Sequence, residues 1–418
     1  VGSAPIGCIL GAVFSMIFSD LYGRKKLLVV ASVLFGVSAL GTAVAWNFLA
    51  FNIFRLVGGM GIGLAANLSP MYIAEISPTN YRGKVVTTNQ FTIMVGILLS
   101  QVVNLLIQQH GERIGALASG LTWNESFGWR WMFGAMAVPA LGFFALIFTV
   151  PESPRWLVKK GCQQEAERVL AMVGGVEYAR SEAADIASTI SAEEVARINV
   201  RELFEPKLLK IILLGMFLAL VQQWSGLNSV FAYSHQIFKD AGIGVSGTML
   251  SLVFQGLTML LFCIVAMFIV DHVGRKVLML LGTLGISLIH LLIGLSFHFH
   301  RTGVPTVILV ILAIAIYAMT LAPIVWVLLS ELFPNRVRGL ALGISVVTLW
   351  VGYLILTYTF PIMRETIGTA KTFWIYSAFL FAAFLVIWYA LPETKGKSLE
   401  QIERDVFGMQ VTQASERT

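Results

Sequence analysis

Charged side chains are scarce in this 418-residue sequence, because Asp, Glu, Lys and Arg together make up only 12% of it. Soluble domains carry about 25%. Hydrophobic residues make up 57%, and the mean hydropathy is +0.80. These proportions exclude a soluble globular protein and predict one that lies in a lipid bilayer.

Cysteine is also scarce, and Cys8, Cys162 and Cys263 lie too far apart for a disulfide framework or a metal-ligand motif. The six histidines show no ligand spacing, and the apolar runs contain no pairing of a nucleophile with a base. We therefore expect no metal, no cofactor and no enzyme activity.

Long apolar runs predict eleven membrane-spanning helices, five before and six after a charged segment at 157–205. The expected spans are 4–19, 27–46, 49–74, 85–107, 130–150, 208–236, 247–270, 277–297, 304–330, 339–362 and 371–391. The charged segment cannot lie in lipid, and its helix-period apolar positions predict short amphipathic surface helices. The sequence thus predicts an all-α membrane protein.

Basic residues, which raise the pI to about 9.2, are concentrated on one side of the membrane. If the spans alternate in direction, 22 of the 29 Lys and Arg residues share a side with the charged segment and the C-terminus, and six lie opposite. Basic loops face the cytoplasm. The charge therefore sets orientation, and we expect no nucleic-acid partner.

Three loop motifs occur twice, in the same order and at similar spacing. The matching pairs are 20–25 (DLYGRK) with 271–276 (DHVGRK), 75–83 with 331–339, and 151–152 with 392–393, both Pro-Glu. This agreement predicts two homologous halves. The expected boundaries are 1–156 for the first membrane half, 157–207 for a cytoplasmic helical linker, 208–391 for the second membrane half and 392–418 for a cytoplasmic tail.

The second half contains a span, 208–236, whose counterpart in the first half would precede residue 1. We therefore expect each half to have six helices, with the first helix of the protein missing from this chain.

The repeated loops resemble those of the major facilitator superfamily. The motifs at 151–156 (PESPRW), 222–228 (QQWSGLN), 331–339 and 392–396 (PETKG) are similar to those of its sugar porter family, which includes proton–sugar symporters and glucose facilitators. The resemblance implies the major facilitator fold, with two pseudo-symmetric six-helix halves, of which five plus six spans are present here.

Amide side chains inside the spans form a candidate binding site. Gln222 and Asn228 would point about 120° apart on an ideal helix, and Gly226 offers a break that brings them together. Gln90 belongs to a second amide stripe, on the span 85–107. Neutral amides suit a polyhydroxylated neutral ligand, and Trp326 offers an aromatic face to a sugar ring. The alternative is that the amides join helices and the tryptophan only packs.

The family resemblance adds residue roles to this site. It implies sugar contacts for Gln90, Gln222, Gln223, Asn228, Trp326, Tyr233 and Trp350. Leu349 and Met259 stand where other members often carry an amide, which predicts a drier wall in the second half.

The resemblance also implies a network of cytoplasmic charges that pair across the two halves and close the inner gate. Its expected members are Asp20, Arg24, Glu75, Arg82, Glu152, Arg155, Asp271, Arg275, Glu331, Arg338 and Glu393. The alternative is that these charges are solvated and set topology only.

Arg55 is the one basic residue deep in a predicted span, and no span carries a deep carboxylate. A lone guanidinium in the membrane needs a partner or water. In proton-coupled sugar porters the equivalent arginine lies beside an aspartate of the first helix, so the resemblance makes Arg55 a candidate for proton coupling. The alternative is that Arg55 reaches the outer surface.

These features predict a secondary transporter of a neutral sugar or polyol, working by alternating access in symport with a proton. Uniport and sugar sensing without transport stay open as alternatives. The expected partners are the sugar or polyol, the proton and the lipid bilayer. We expect a multi-pass protein of the plasma membrane, the inner membrane in a bacterium, with its basic loops and C-terminus in the cytoplasm.

Overall fold

The computed structural model describes residues 2–77, 82–117, 120–195, 205–231, 237, 245–333 and 338–394. Within these ranges the chain is helical, and the only extended pairing is an isolated bridge between Ala116 and Thr122. The first half contains α1 (Ser3–Tyr22), α2 (Arg24–Ala43), α3 (Phe48–Ile76), α4 (Arg82–Ile114), a π-helical turn (Asn124–Gly128), α5 (Trp129–Gly134) and α6 (Ala137–Ile147). Then follow α7 (Pro154–Lys159), α8 (Gln163–Val195), α9 (Pro206–Trp224), α10 (Val245–Val273), α11 (Arg275–His298), α12 (Val304–Met319), α13 (Leu321–Leu332), α14 (Arg338–Ile367) and α15 (Thr369–Ala390).

Eleven helical segments of the described residues are long and apolar enough to cross a membrane. Five precede α7 and six follow α8, which confirms the predicted five-plus-six division. The spans Asn124–Ile147 and Val304–Leu329 each combine shorter helices, because the backbone departs from regular α-helix within them.

Helices α7 and α8 occupy the charged segment between the two sets of spans. The Ser153 hydroxyl caps the N-terminus of α7 by accepting a hydrogen bond from the Trp156 N–H at 3.3 Å, with Pro154 in the first turn. Leu157, Ala166 and Val169 form a small core between the two helices. Helix α8 is interrupted at Gly175, where φ is +84°, so the described part of this segment consists of several helical pieces. That these pieces are amphipathic surface helices stays a prediction.

The internal repeat is visible in the packing. In the first half α3 packs against α1 and α2, and in the second half α12 packs against α10 and α11. Likewise α6 packs on α2, and α15 packs on α11. The two halves touch through α1 against α14 and through α4 against α10.

Helices α1 and α3 approach each other at backbone distance. A Cβ atom on Gly7 would lie 2.1 Å from the Leu56 carbonyl oxygen, and one on Gly59 would lie 2.1 Å from the Ala4 carbonyl oxygen. Small residues allow such contact in membranes, where dispersion replaces the hydrophobic effect between helices. The pair therefore behaves as one packed unit.

Candidate functional site

The first feature of the site is a break in the span that begins with α9. This helix ends at Trp224, and Gly226 has a φ of +80°. A helical segment, 227–231, follows, and the Val230 N–H donates to the Gly226 carbonyl oxygen at 3.0 Å. Since a residue with a side chain is strained at positive φ, glycine is what permits the break that the sequence predicts here.

The break brings two predicted site residues together. The Asn228 side-chain N–H donates to Gln223 Oε1 at 2.5 Å, although residues five apart would point about 140° apart on an ideal helix. The Asn228 side chain also lies close to the hydroxyl group of Tyr317 on α12. Gln223 is 7% exposed, so this chain of polar groups lies inside the bundle.

Gln222 connects α9 to a second irregular point. Its Nε2 donates to the carbonyl oxygens of Leu321 at 3.2 Å and Ala322 at 3.0 Å. These residues follow Thr320, where φ is −120° and ψ is −88°, and precede Pro323. The hydrogen bonds described for the Gln222 side chain are both made by its Nε2.

Aromatic side chains of the second half complete the site. The Trp224 Nε1 donates to the Gly352 carbonyl oxygen at 3.0 Å and so holds the end of α9 against α14. On α14, the Trp350 Nε1 is buried and has no hydrogen-bond partner among the described residues, while its ring lies edge-on to Tyr353 with centroids 6.0 Å apart. A buried indole N–H without a partner is costly, which favours a ligand oxygen there.

Other predicted site residues are less closely connected. Trp326 is half-buried on α13 and Gln90 is half-buried on α4, and no described hydrogen bond connects either to the amides of α9. Gln101, which lies on α4 eleven residues after Gln90, contacts α10, since a Cβ atom on Gly256 would lie 1.9 Å from its Oε1. Tyr233 lies outside the described residues.

The second-half residues that predicted a drier wall are buried. Leu349 is 3% exposed and Met259 is 4% exposed. Both positions therefore present carbon or sulfur where an amide would add hydrogen-bonding capacity. In the described part of the chain, His, Cys, Asp and Glu residues do not gather into a group that could hold a metal ion.

The cytoplasmic charges of the first half form a cluster around the start of α2. Glu152 accepts hydrogen bonds from the backbone N–H groups of Arg24 at 3.0 Å and Lys25 at 3.1 Å. The Arg24 guanidinium pairs with Glu75 at 2.8 Å and Asp20 at 2.9 Å. A carboxylate at a helix N-terminus is favourable because it meets free N–H groups and the positive end of the helix dipole.

The second half builds the same cluster around the start of α11. Glu393 accepts from the backbone N–H groups of Arg275 at 2.9 Å and Lys276 at 3.1 Å. The Arg275 guanidinium pairs with Glu331 at 3.3 Å. The sequence repeat therefore extends to individual hydrogen bonds.

The ion pairs that the structure describes in the two clusters connect elements of one half, or connect α1 with α7 through Asp20 and Lys159, which lie 2.9 Å apart. Glu152 and Glu393 each satisfy the N-terminus of a helix that packs within their own half. Pairing across the two halves stays a prediction. Arg155 lies on α7, and the side chains of Arg82, Asp271 and Arg338 are outside the described part of the chain.

Two hydroxyls complete the clusters and were missed from the sequence. The Ser153 hydroxyl donates to Glu75 Oε2 at 2.5 Å, and the Thr394 hydroxyl donates to Glu331 Oε2 at 2.6 Å. Each follows the repeated Pro-Glu by one position, so extending the comparison of the halves by one residue would have found them.

Arg55 lies half-buried on α3 and faces an aromatic ring. Its Cζ is 5.5 Å from the centroid of Phe133, a distance suited to a cation–π contact. It is also within electrostatic range of Tyr353 and Cys8. No described carboxylate lies within ion-pair distance of its guanidinium.

Comparison with known proteins places these features among transporters. The family described as "Sugar (and other) transporter" matches residues 1–406. The arabinose-proton symporter of Bacillus subtilis is 35% identical over 405 residues, covering 97% of this chain and 85% of that protein. The D-xylose-proton symporter of Escherichia coli is 35% identical over 429 residues, covering 96% and 84%. The partially occluded inward open structure of the xylose transporter XylE from E. coli superposes with a TM-score of 0.82 at 34% identity, covering 95% and 87%.

Replacing Gly226 by alanine should damage the site more than the same change at a comparable glycine elsewhere. The new Cβ would lie 2.8 Å from Tyr376 Cδ2 and 3.0 Å from His290 Nε2, in addition to the cost of positive φ. Gly368→Ala is the matched control, since φ there is +88° and nothing lies within 4 Å. We expect ligand affinity to fall about tenfold or more for Gly226→Ala only, measured by equilibrium binding to purified protein. Equal affinities in the two variants would contradict this view of the break.

Glu152→Gln should loosen the first-half cluster, because the amide loses the charge that strengthens its hydrogen bonds to backbone N–H groups. We expect a loss of about 1–3 kcal/mol in stability, seen as a lower unfolding temperature in detergent. Glu165→Gln, at an exposed carboxylate of α8, is the control and should change stability by less than about 0.5 kcal/mol. An unchanged unfolding temperature for Glu152→Gln would show that this cluster does not stabilise the folded protein.

Proposed function

Because this chain belongs to the sugar transporter family, we propose that it carries a neutral pentose across the membrane together with a proton. The observation that carries the proposal is the hydrogen bond between Gln223 and Asn228 across the break after α9, in a chain that matches the family over residues 1–406. The proposed substrate class follows the relatives named as arabinose-proton and D-xylose-proton symporters.

The chemistry of the proposed site suits an uncharged, hydroxyl-rich molecule. The Gln222 Oε1 offers an acceptor, the Trp350 indole offers a donor, and the described side chains around the break carry no formal charge. An amide donates to one hydroxyl and accepts from another, so it binds a sugar without demanding a counter-charge. Trp326, Tyr233 and Gln90 belong to the proposed site on the family resemblance.

The drier second-half wall favours the smaller sugars. Leu349 and Met259 leave no amide to receive a hydroxyl on that side, and a hydroxyl buried there would lose its water without gaining a partner. A pentopyranose lacks the hydroxymethyl group of a hexopyranose. We therefore propose pentoses ahead of hexoses and polyols.

In the proposed cycle the two halves rock around the sugar, so that the site opens to each side of the membrane in turn. The two charge clusters serve as fixed points at the cytoplasmic ends of the halves. Arg55 is the proposed sensor of the coupled proton, because a membrane-embedded guanidinium responds strongly to a nearby change of charge.

A second candidate is sugar uniport, in which the movement of the sugar is not coupled to a proton. The two candidates differ in whether a proton gradient does work on the sugar.

Purified protein in proteoliposomes separates these candidates. We expect D-xylose or L-arabinose to accumulate above its outside concentration when the lumen is more alkaline, and a protonophore to reduce uptake to equilibration. Symport is contradicted if uptake only equilibrates and ignores the gradient, which is the result expected for uniport. Absence of saturable uptake of any neutral sugar would contradict both candidates.

The site is tested in the same vesicles with Gln222→Ala. This change removes the proposed ligand acceptor and leaves two carbonyls of α13 without their amide donor, so we expect saturable uptake to be lost. Gln108→Ala is the control, because Gln108 is 5% exposed on α4 but hydrogen-bonds Glu112 rather than the break. If Gln222→Ala retains the affinity of the unmodified protein, the amides around the break only join helices.

We also propose that the basic loops and the C-terminus face the cytoplasm of a plasma membrane. The cysteines provide a reporter, since Cys162 is exposed at the start of α8 while Cys8 and Cys263 are buried. A membrane-impermeant maleimide should label the protein in inside-out vesicles and spare it in intact cells, and Cys162→Ser should abolish the labelling. Labelling in intact cells would reverse the proposed orientation.

A further inference from the structure

The break after α9 releases backbone carbonyls from the helical hydrogen-bond ladder. In an unbroken helix the carbonyl of residue 225 would accept from the N–H of residue 229. Here the Ser225 hydroxyl donates to the Gln222 carbonyl oxygen at 2.9 Å, and His290 Nε2 lies 2.7 Å from the Ser225 carbonyl oxygen. Inside a membrane no bulk water reaches such groups, so side chains have to satisfy them.

His290 lies in the middle of α11 and is 0% exposed. A carbonyl oxygen only accepts, so Nε2 carries the hydrogen and donates it. The Nδ1 atom is buried without a hydrogen-bond partner among the described residues. The ring is flanked by Phe373 and Tyr376 of α15, with centroids 5.3 and 6.3 Å away. The only polar contact described for this imidazole is therefore the one at the break.

The contact lies between the amides of the proposed site. Gln222 and Gln223 stand three and two residues before Ser225, and Asn228 stands three residues after it. Gly226 lets the histidine approach, since a Cβ atom there would lie 3.0 Å from His290 Nε2. A shift of the Ser225 carbonyl would change the distance between Gln223 and Asn228.

We propose that His290 is a positioning residue for the sugar site, holding the broken backbone in the conformation that brings the amides on either side of Gly226 together. The proposal rests on the proposed function of these amides in sugar binding. If the proposal is correct, α11 affects sugar affinity although none of the predicted sugar contacts lies on this helix.

The same helix provides a matched control. Ser287, three residues before His290, is 4% exposed and contacts α15. Its hydroxyl donates to the Ser377 carbonyl oxygen at 2.8 Å, and the Ser377 hydroxyl donates to the Ser287 carbonyl oxygen at 2.8 Å. Ser287→Ala therefore removes a buried polar contact of α11 that does not touch the break.

The experiment measures the KM and maximal rate of sugar uptake, together with the unfolding temperature, for His290→Leu, His290→Gln, His290→Asn and Ser287→Ala in the full chain. His290→Leu should raise KM about tenfold or more, because an unsatisfied carbonyl relaxes the break. His290→Gln, whose Nε2 has a reach close to that of the histidine, should recover most of the affinity, while the shorter asparagine should not. Ser287→Ala should keep KM within about twofold of the original even where its unfolding temperature drops.

Three results would overturn the proposal: an unchanged KM in folded His290→Leu, the same rise in KM for Ser287→Ala, or equal KM values for the glutamine and asparagine variants. The glutamine and asparagine comparison decides the matter if the leucine variant does not accumulate. If His290→Leu keeps normal affinity while Gln222→Ala loses it, the role proposed for His290 is contradicted and the proposed sugar site stands. If Gln222→Ala keeps normal affinity, the proposed sugar site itself is contradicted.

Discussion

The break after α9 depends on one constraint, which is that the backbone carbonyl groups freed there need hydrogen-bond donors. Gly226 breaks a membrane span, and hydrocarbon offers no water to the carbonyls that are freed. Ser225 and His290 satisfy two of them. The Gln222 amide also donates to the carbonyl oxygens of Leu321 and Ala322 on α13, which connects the break to a second helix. The polar side chains at the break are thus part of its support as well as candidates for binding, which joins the two readings of intramembrane amides that the sequence left open.

A second constraint acts at the cytoplasmic ends of α2 and α11, where helix N-termini need acceptors. Glu152 and Glu393 supply them, and Ser153 and Thr394 link each carboxylate group to Glu75 and Glu331. The described hydrogen bonds of Glu152 and Ser153 recur for Glu393 and Thr394, although only part of the sequence around them is identical. The feature common to the two halves is therefore a set of hydrogen-bond acceptors and donors around the N-terminus of α2 and of α11.

The sequence predicted the parts of this structure that follow from periodicity and composition. Apolar run lengths predicted the eleven spans, and a glycine between polar residues predicted the break after α9. Pairing partners were harder, because loop motifs identify charged residues without saying which neighbour each will meet. The within-half pairing of Arg24 and Arg275 depends on how the ends of α3 and α13 approach those helices, which is a property of tertiary packing.

His290 shows the limit of sequence reasoning most clearly. A lone histidine in an apolar run has no spacing that indicates a ligand or a catalytic group, so it was set aside with the other five. Its significance comes from a carbonyl 65 positions earlier that loses its helical partner. Trp350 is a similar case, since the family resemblance indicated the residue while only the structure shows that its indole N–H has no protein partner among the described residues.

The placement of the two charge clusters has a consequence for the energetics of transport. An ion pair that closes within one rigid body keeps its length when that body rotates, so its free energy is the same at both ends of the motion. The described pairs of Arg24 and Arg275 therefore cancel from the equilibrium between outward-facing and inward-facing states. The balance between the two states then depends on contacts between the halves, among which those of α1 with α14 and of α4 with α10 are described.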